Sequence, residues 1–374
     1  MSGLNSLRRK IVFIIDEYTP GAGTENQIRG ILRHLDRARF EAILVTLRKP
    51  VTPEDQQDLG WPVKCLGVHR LLHITSIHRF LRFVWWLRRT RVEVAMIYFQ
   101  DSRLFAVPAC RLGGVRSIIS NRRDMGYWRT HTLSRALRMV DRLSHRCLVN
   151  SQAVKRSVED YEHYPGDRIT VIYNALWNDV RTEAAIVTKS RLGLENDTAV
   201  VGIVANLRPV KRVDRFLEMA AMVVTKVPKV HFLVLGCGNL EGTLKEQTDR
   251  FGLAHCVSFL GKVEDVGSYL SIFDVGVLTS ESEGLSNSLI EYAAAGVPAV
   301  AFDAGGNSEV IADNVTGFLV PQGDIPGLAS KVVAILSDNV LRRRMSTESR
   351  NLVMRRFSPD TIMRELMAFW GAIS

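Results

Sequence analysis

Two glutamates eight positions apart, Glu283 and Glu291, frame the part of the chain with the clearest chemistry. A short apolar run at 274–279 predicts a buried strand before them, and the segment 286–295 predicts a helix that ends at Gly296. The backbone N–H groups in the first turn of a helix have no internal partners and lie at the positive end of its dipole, so they form a site for an anion. The residues that would supply these N–H groups are Gly284, Leu285, Ser286 and Asn287.

A pair of cations follows another predicted strand, at 200–204. Arg208 and Lys211 are three positions apart with Pro209 between them, so both can point at one diphosphate. Cations placed in advance stabilise the negative charge that develops on a departing diphosphate. With an acid on each side of the anion site, the ligand that fits has a phosphate centre and hydroxyls at both ends, which is the shape of a nucleotide-sugar. The structural alternatives are a basic turn that opens a helix and two solvent-facing glutamates.

Two glycines follow the first predicted strand, at 10–15. Gly21 and Gly23 are compatible with a dinucleotide-binding loop, with a loop that lets a ligand approach the backbone, or with a purely structural turn. The dinucleotide interpretation is weak, because Asn26 occupies the position of the third glycine. In addition, no acidic residue ends the second predicted strand, where Arg48 stands.

Residues 293–300 and 303–309 extend the motif around the two glutamates. They read AAAGVPAV and DAGGNSE, so a small-residue helix end leads into another buried strand and then into a second glycine turn. With these elements the chain resembles the family 4 glycosyltransferases of the GT-B fold. In that family an E-x7-E element is followed by A-x-G-x-P-V and then by a G-G-x-x-E turn, and both glutamates are present here.

The resemblance implies a role for each of these residues. It implies that Arg208 and Lys211 bind the diphosphate, that Glu291 accepts hydrogen bonds from the ribose, and that Glu283 faces the donor sugar. It also implies that the two glycines of the first loop contribute to donor binding. Finally, it implies a retaining enzyme, in which the acceptor oxygen attacks the face of the sugar from which the nucleotide departs.

One stretch departs from the pattern of the family. Many relatives carry a His after a later strand of the first domain, close to the donor sugar, whereas this chain has Asn121, Arg122 and Asp124 there. Any of the three could contact the sugar or the acceptor instead. Asp101, which follows a neighbouring predicted strand, either contacts the acceptor side of the site or caps the next helix.

Length and periodicity predict two domains. The chain has 374 residues, too many for one ordinary core, and apolar runs alternate with helical segments in both halves. This alternation predicts an α/β fold with two doubly wound, Rossmann-like domains, which in the GT-B fold face each other across a cleft. We place an acceptor-side domain at 1–178, with a C-terminal helix at about 358–374 that packs back on it. A polar linker is predicted within 176–197, and a nucleotide-sugar-binding domain at 198–357.

The net charge of +10 is concentrated in the first half of the chain. Residues 1–180 hold 29 Lys and Arg against 17 Asp and Glu, whereas the remainder holds 20 against 22. Such a surface suits nucleic acid, an anionic membrane or an acidic acceptor, and the lack of any nucleic-acid-binding motif argues against the first. A predicted basic-aromatic helix at 78–91 either lies on anionic lipid or packs its apolar side on the sheet.

Other sequence features bear on the cellular compartment and on the need for a cofactor. The five cysteines are scattered without a C-x-x-C pair, and no run of about 20 apolar residues is present. We therefore expect a cytoplasmic protein that at most associates with the inner face of a membrane. His69 and His73 lack a third metal ligand nearby, so we expect no metal and no cofactor besides the nucleotide-sugar substrate.

The sequence thus favours a retaining hexosyltransferase that uses a nucleotide-diphosphate sugar and acts on a glycan or lipid-linked acceptor in surface polysaccharide biosynthesis. A GT-B nucleotide-sugar epimerase is the nearest alternative, but it would need a different set of acids and bases. The second alternative is a non-catalytic protein that binds nucleotide-sugars or serves as a membrane scaffold. The intact glutamates and cations argue against it.

Overall fold

The computed structural model describes residues 8–127, 129–177, 187–263 and 265–373. The chain divides into two compact units. Of the predicted linker, residues 178–186 lie outside the described residues. Unit 1 consists of Met1–Trp177 and Pro359–Ser374, and unit 2 consists of Asn178–Ser358.

Unit 1 contains one parallel sheet of seven strands. Their spatial order is β3-β2-β1-β4-β5-β6-β7, so the direction of winding reverses between β1 and β4. The strands are β1 (Arg9–Ile15), β2 (Phe40–Thr46), β3 (Val63–Cys65), β4 (Val94–Ile97), β5 (Ser117–Arg122), β6 (Arg146–Val149) and β7 (Ile169–Val171).

Unit 2 contains a parallel sheet of six strands. Their order is β10-β9-β8-β11-β12-β13, which reverses between β8 and β11. The strands are β8 (Ala199–Val204), β9 (Val230–Leu235), β10 (Val257–Gly261), β11 (Val275–Leu278), β12 (Ala299–Phe302) and β13 (Gly317–Val320).

Helices connect successive strands in both units. In the described part of the chain, none of them combines the length and the apolar composition needed to cross a bilayer. The first six lie in unit 1: α1 (Gly23–His34), α2 (Pro53–Leu59), α3 (Ile74–Thr90), α4 (Gln100–Leu112), α5 (His131–Asp141) and α6 (Gln152–Ser157). The next six lie in unit 2, and the last returns to unit 1: α7 (Val213–Val224), α8 (Glu241–Arg250), α9 (Val266–Leu270), α10 (Asn287–Ala295), α11 (Ile325–Ser337), α12 (Asn339–Arg356) and α13 (Pro359–Ala372).

The burial of these elements follows the apolar pattern of the sequence. Every residue of β4, β11 and β12 is buried, as expected for parallel strands that helices cover on both faces. Helix α1 buries Ile28, Ile31 and Leu32, which lie on one side of the helix. The prediction of an α/β fold with two doubly wound units is therefore confirmed.

Helix α13 packs into the core of unit 1 through its aromatic residues. Phe369 is 8% exposed and Trp370 is fully buried. The ring centroid of Trp370 lies 5.6 Å from that of Phe40, and its indole Nε1 lies 3.5 Å from the sulfur of Met96. The last helix of the chain thus completes a core that begins with the first strands.

We expect Trp370→Ala to lower the free energy of unfolding by roughly 3–5 kcal/mol, because it removes a fully buried indole and leaves a cavity. Trp85 provides a matched control, since its side chain is 61% exposed. Trp85→Ala should change the free energy of unfolding by less than about 0.5 kcal/mol. Urea unfolding followed by circular dichroism measures both variants, and equal losses would contradict the packing of α13.

Candidate functional site

The candidate site of unit 2 lies at the carboxyl ends of β8 and β11, where the order of the strands reverses. Open parallel sheets bind ligands at such a switch point, because the connections from the two neighbouring strands run to opposite faces and leave a crevice. The loop after β8 carries Arg208 and Lys211. The loop after β11 carries Glu283 and leads into α10.

Lys211 and Glu283 form an ion pair, with the ammonium nitrogen 2.7 Å from Oε1 of the carboxylate. Two further hydrogen bonds hold the two loops together: Thr279 Oγ1 donates to the carbonyl of Lys211 at 3.0 Å, and the N–H of Glu281 donates to the carbonyl of Val210 at 2.9 Å. An ammonium group has three N–H donors. Lys211 can therefore keep its contact with Glu283 and still donate to a phosphate oxygen.

Arg208 precedes a single helical turn, Pro209–Lys211, and its side chain is exposed. Its guanidinium makes no hydrogen bond or ion pair with any residue that the structure describes. The loop that carries it rests on Gly236, whose φ is 133° and where a Cβ would lie 2.0 Å from the carbonyl oxygen of Ala205. Only glycine permits this close approach of the two loops.

The first turn of α10 is fastened to the end of β8. Ser286 caps the helix, and its Oγ accepts from the N–H of Leu289 at 3.4 Å. Ser288 Oγ donates to the carbonyl of Val204 at 2.7 Å, and the hydroxyl of Tyr292 accepts from the N–H of Val204 at 2.7 Å. The predicted helix is confirmed, and its amino end has a defined position beside the loop of Arg208.

The second glycine turn positions the backbone of Glu283. The N–H of Gly306 donates to the carbonyl of Glu283 at 3.1 Å. A Cβ at Gly305, whose φ is 54°, would lie 1.9 Å from the same oxygen. The absence of a Cβ at Gly305 therefore allows the turn to approach the loop before α10. In that loop the predicted anion-binding residues Gly284, Leu285 and Ser286 are buried, and Asn287 is half-buried.

Glu291 lies in the second turn of α10 and is half-buried. No residue in the described part of the chain donates a hydrogen bond to its carboxylate. Burial raises the pKa of Glu291 to about 7, because a desolvated carboxylate without donors is disfavoured as an anion. Ligand hydroxyls that donate to this carboxylate would relieve that penalty.

The glycine loop predicted in the first domain lies at the carboxyl end of β1 in unit 1. Gly21 has a φ of 87° and is exposed, and α1 begins two residues later at Gly23. The residue between them, Ala22, caps the helix without a side-chain hydrogen bond. The positive φ of Gly21 favours glycine at this position.

Asp101 lies in the first turn of α4, after β4, and forms an ion pair with Arg48. It does not cap that helix. Asp16 supplies the contact instead, since its Oδ1 accepts from the N–H of Ser102 at 2.7 Å and from the Ser102 hydroxyl at 2.6 Å. The polar groups after β1, β2 and β4 are therefore joined at one edge of the sheet.

The sequence predicts that Arg122 lies after a strand. In the structure it lies within β5. Its guanidinium donates to Asp141 and Glu162, each at 2.8 Å, and Arg103 pairs with the same two acids. Burial by itself would raise the pKa of Glu162, but Arg122 and Arg103 hold it well below its usual range. β5 runs through Arg122, and this buried network satisfies the side chain of its last residue. Because these contacts already satisfy the guanidinium of Arg122, they argue against a role for it in sugar or acceptor binding.

Asn121 also lies within β5 and is 4% exposed. Its Nδ2 donates to the carbonyl of Ile97 at 3.2 Å, whereas its Oδ1 has no hydrogen-bond partner among the described residues. Asp124 lies just beyond the strand, and its Oδ1 accepts from the N–H of Gly126 at 2.7 Å. Asn121 therefore retains an unused acceptor, and both residues remain candidates for ligand contacts.

Arg123 is a polar residue of this edge that the sequence motifs do not single out. Its guanidinium lies over the ring of Tyr98, 5.6 Å from the centroid, and donates to Asn174 Oδ1 at 2.5 Å. Its Nε is buried without a hydrogen-bond partner among the described residues, and burial lowers its pKa. The sequence did contain a signal for this difference, because successive side chains along a strand point to opposite faces of the sheet. Arg122 and Arg123 could not both lie in the same environment.

Comparison with protein families gives two matches, one for each half of the chain. Residues 21–176 match the family described as Glycosyltransferase Family 4. Residues 187–352 match the family described as Glycosyl transferases group 1. The second match contains the cations, the two glutamates and the second glycine turn of unit 2.

Several curated proteins are similar to part of this chain. The chain spans about half the length of the curated relatives that it matches. N-acetyl-alpha-D-glucosaminyl L-malate synthase of Bacillus anthracis is 30% identical over 54% of this chain and 53% of its own length. A UDP-Gal:alpha-D-GlcNAc-diphosphoundecaprenol alpha-1,3-galactosyltransferase of Escherichia coli is 30% identical over 51% of each. The capsular polysaccharide biosynthesis glycosyltransferase CapM of Staphylococcus aureus is 25% identical over 59% of this chain and 60% of its own length.

Solved structures share the fold over nearly the whole chain. Anabaena Alr3699/HepE, crystallised with UDP and glucose, superposes with a TM-score of 0.84 at 20% identity and covers 98% of this chain and 100% of its own. Sucrose-phosphate synthase of Thermosynechococcus elongatus superposes with a TM-score of 0.83 at 16% identity, over 98% and 99% of the two chains. These likenesses confirm the predicted GT-B fold.

The raised pKa of Glu291 predicts a pH-dependent loss of stability. The unfolded chain releases this proton near pH 4.5 and the folded chain near pH 7, so the free energy of unfolding falls as pH rises between these values, by up to about 3 kcal/mol. Glu291→Gln removes the titration. We expect the variant to match the wild type at pH 4.5 and to be more stable than the wild type at pH 8.

Urea unfolding at both pH values measures this difference. Glu246, exposed on α8, serves as the control. Because its side chain is exposed, Glu246→Gln should change the free energy of unfolding by less than about 0.5 kcal/mol. A Glu291→Gln variant without a gain at pH 8 would show that the carboxylate finds donors or water in solution.

Proposed function

Because the chain belongs to the family 4 glycosyltransferases, we propose that it transfers a hexosyl group from a nucleotide-diphosphate sugar to a glycan or lipid-linked acceptor. One observation carries the proposal. The ion pair of Lys211 and Glu283, the amino end of α10 and the donor-poor carboxylate of Glu291 belong to adjoining loops and one helix at the switch point of unit 2. Together they offer cations, N–H donors and a hydroxyl acceptor.

The proposed donor site assigns one part of the nucleotide-sugar to each of these groups. The diphosphate lies between Arg208, Lys211 and the N–H groups at the start of α10. Glu291 accepts hydrogen bonds from the ribose hydroxyls, which supply the donors that its carboxylate lacks. Glu283 accepts from hydroxyls of the sugar while it keeps Lys211 in position.

In the proposed reaction, the bond from the anomeric carbon to the phosphate oxygen breaks as the acceptor oxygen bonds to that carbon on the same face. The acceptor's proton passes to the departing phosphate, so the nucleoside diphosphate leaves with it. Arg208, Lys211 and the helix dipole stabilise the negative charge that develops on the diphosphate. We therefore propose a mechanism in which the protein's own cations, without a metal ion, offset the leaving group's charge.

The names of two relatives support a proposal for the acceptor. One of them acts on a diphosphoundecaprenol-linked sugar and another in capsular polysaccharide biosynthesis, by their names. We propose an acceptor of the same kind, on the cytoplasmic side of a membrane where nucleotide-sugars are available. A thermal-shift screen of UDP-, GDP- and ADP-sugars should identify the donor nucleotide, since binding raises the melting temperature. UDP is the first choice, because the solved relative contains it.

We expect Arg208→Ala to lower kcat by about 10²–10³-fold, because one of the groups that stabilise the departing diphosphate is lost. Arg250, exposed on α8, is the matched control, and Arg250→Ala should retain wild-type turnover. Release of nucleoside diphosphate from the donor selected by the screen measures turnover. Chromatography of the sugar product separates transfer or hydrolysis from epimerisation. Unchanged turnover in Arg208→Ala would place the diphosphate elsewhere.

We also expect Glu291→Ala to weaken binding of the nucleoside diphosphate, because the ribose hydroxyls lose their acceptor. The matching 2′,3′-dideoxynucleoside diphosphate lacks those hydroxyls and should bind the wild type and the variant with similar Kd. Isothermal titration at pH 8, where the carboxylate is ionised, measures all four values. If Glu291→Ala weakened both ligands equally, Glu291 would act on the site without touching the ribose.

A further inference from the structure

Helix α3 has two apolar faces, although a helix on the surface of a soluble domain normally has one. The inner face packs Phe83, Val84 and Leu87 into the core of unit 1. The outer face is exposed to solvent and follows the helix at spacings of three and four residues, so its side chains form a stripe. It consists of Ile74, Ile77, Leu81 and Trp85, which are 74, 58, 59 and 61% exposed, with the fully exposed Leu72 just before the helix.

The stripe lies in a segment with charge of one sign. Residues 59–92 contain no Asp or Glu and include seven cations. Arg82 and Arg89 are exposed and lie along one side of the stripe, because residues seven apart fall on nearly the same side of a helix. The guanidinium of Arg89 lies 5.3 Å from the ring centroid of Trp85. The seven cations are Lys64, Arg70, Arg79, Arg82, Arg88, Arg89 and Arg91.

We infer that the outer face of α3 is the surface by which unit 1 lies on an anionic lipid bilayer. The stripe enters the boundary between headgroups and acyl chains, while Arg82 and Arg89 reach lipid phosphates. This inference rests on the proposed function. It adds the surface that would bring the protein to a lipid-linked acceptor.

Charge favours lipid over a second copy of this chain. A two-fold dimer would bring the outer face of α3 against itself. The arginines of both copies would then meet without a carboxylate from residues 59–92 to pair with them. An anionic bilayer supplies the missing negative charge and an apolar layer at the same time. Its contribution should fall with salt, because the charges are exposed.

Vesicle flotation tests the inference. We expect the wild type to bind vesicles that contain phosphatidylglycerol, to bind pure phosphatidylcholine at least tenfold more weakly, and to dissociate at high salt. Ile77→Ser/Leu81→Ser and Arg82→Glu/Arg89→Glu should each weaken binding to the anionic vesicles by about tenfold or more. Brominated lipids should quench the fluorescence of the wild type more than that of Trp85→Phe.

Matched controls come from α12 of unit 2, which also has exposed apolar and basic residues. Val340 and Met354 are 79 and 66% exposed, and Arg343 and Arg344 are exposed as well. Val340→Ser/Met354→Ser and Arg343→Glu/Arg344→Glu should bind the anionic vesicles like the wild type. The melting temperature and the nucleotide affinity of each variant show that it is folded. These two values do not depend on vesicle binding, so a failure of the proposed donor site is seen separately.

Three outcomes would overturn the inference. The first is a wild type that ignores anionic vesicles at low salt. The second is equal vesicle binding by the α3 variants and the α12 controls. The third is a dimer in size-exclusion chromatography that Ile77→Ser/Leu81→Ser dissociates, since a second copy would then cover the outer face of α3.

Discussion

The ion pair between Lys211 and Glu283 depends on the constraint that organises unit 2. In a parallel sheet, the carboxyl ends of all strands lie at one edge, so the loops after two neighbouring strands begin side by side even where the strand order reverses. β8 and β11 are those neighbours. Their loops therefore meet although the paired residues are 72 positions apart. The capping of α10, its bonds to Val204 and the glycine turn under Glu283 all hold that one meeting point in place.

The arginines of unit 1 lie in two different environments. Arg103 and Arg122 are buried with Asp141 and Glu162, so their guanidinium groups are satisfied within the fold. The next residue, Arg123, has an aromatic ring and a neutral amide oxygen as its close contacts. Breaking a buried pair is costly, whereas a guanidinium with unused donors remains available to a ligand. This contrast separates a structural arginine from a candidate for acceptor binding at the edge of the same sheet.

The structure also shows where the basic residues of the first half of the chain lie. Much of it lies around α3, whose inner face belongs to the core and whose outer face is exposed. Sequence periodicity alone left two interpretations of this helix, lipid binding or packing on the sheet. The structure shows that the packing requires only the inner face. The outer face of α3 therefore makes no contribution to the core of unit 1.

The sequence by itself determined the elements and their order, because their signals are local. The apolar runs, the helix stop at Gly296 and the position of α10 depend on neighbours within a few residues, and the structure agrees with them. Only the tertiary structure decided which side chains meet. The pairing of Lys211 with Glu283, the burial of Arg122 and the raised pKa of Glu291 arise from segments distant in the chain. Contacts and desolvation of this kind depend on how loops from neighbouring strands approach, and no local pattern records that distance.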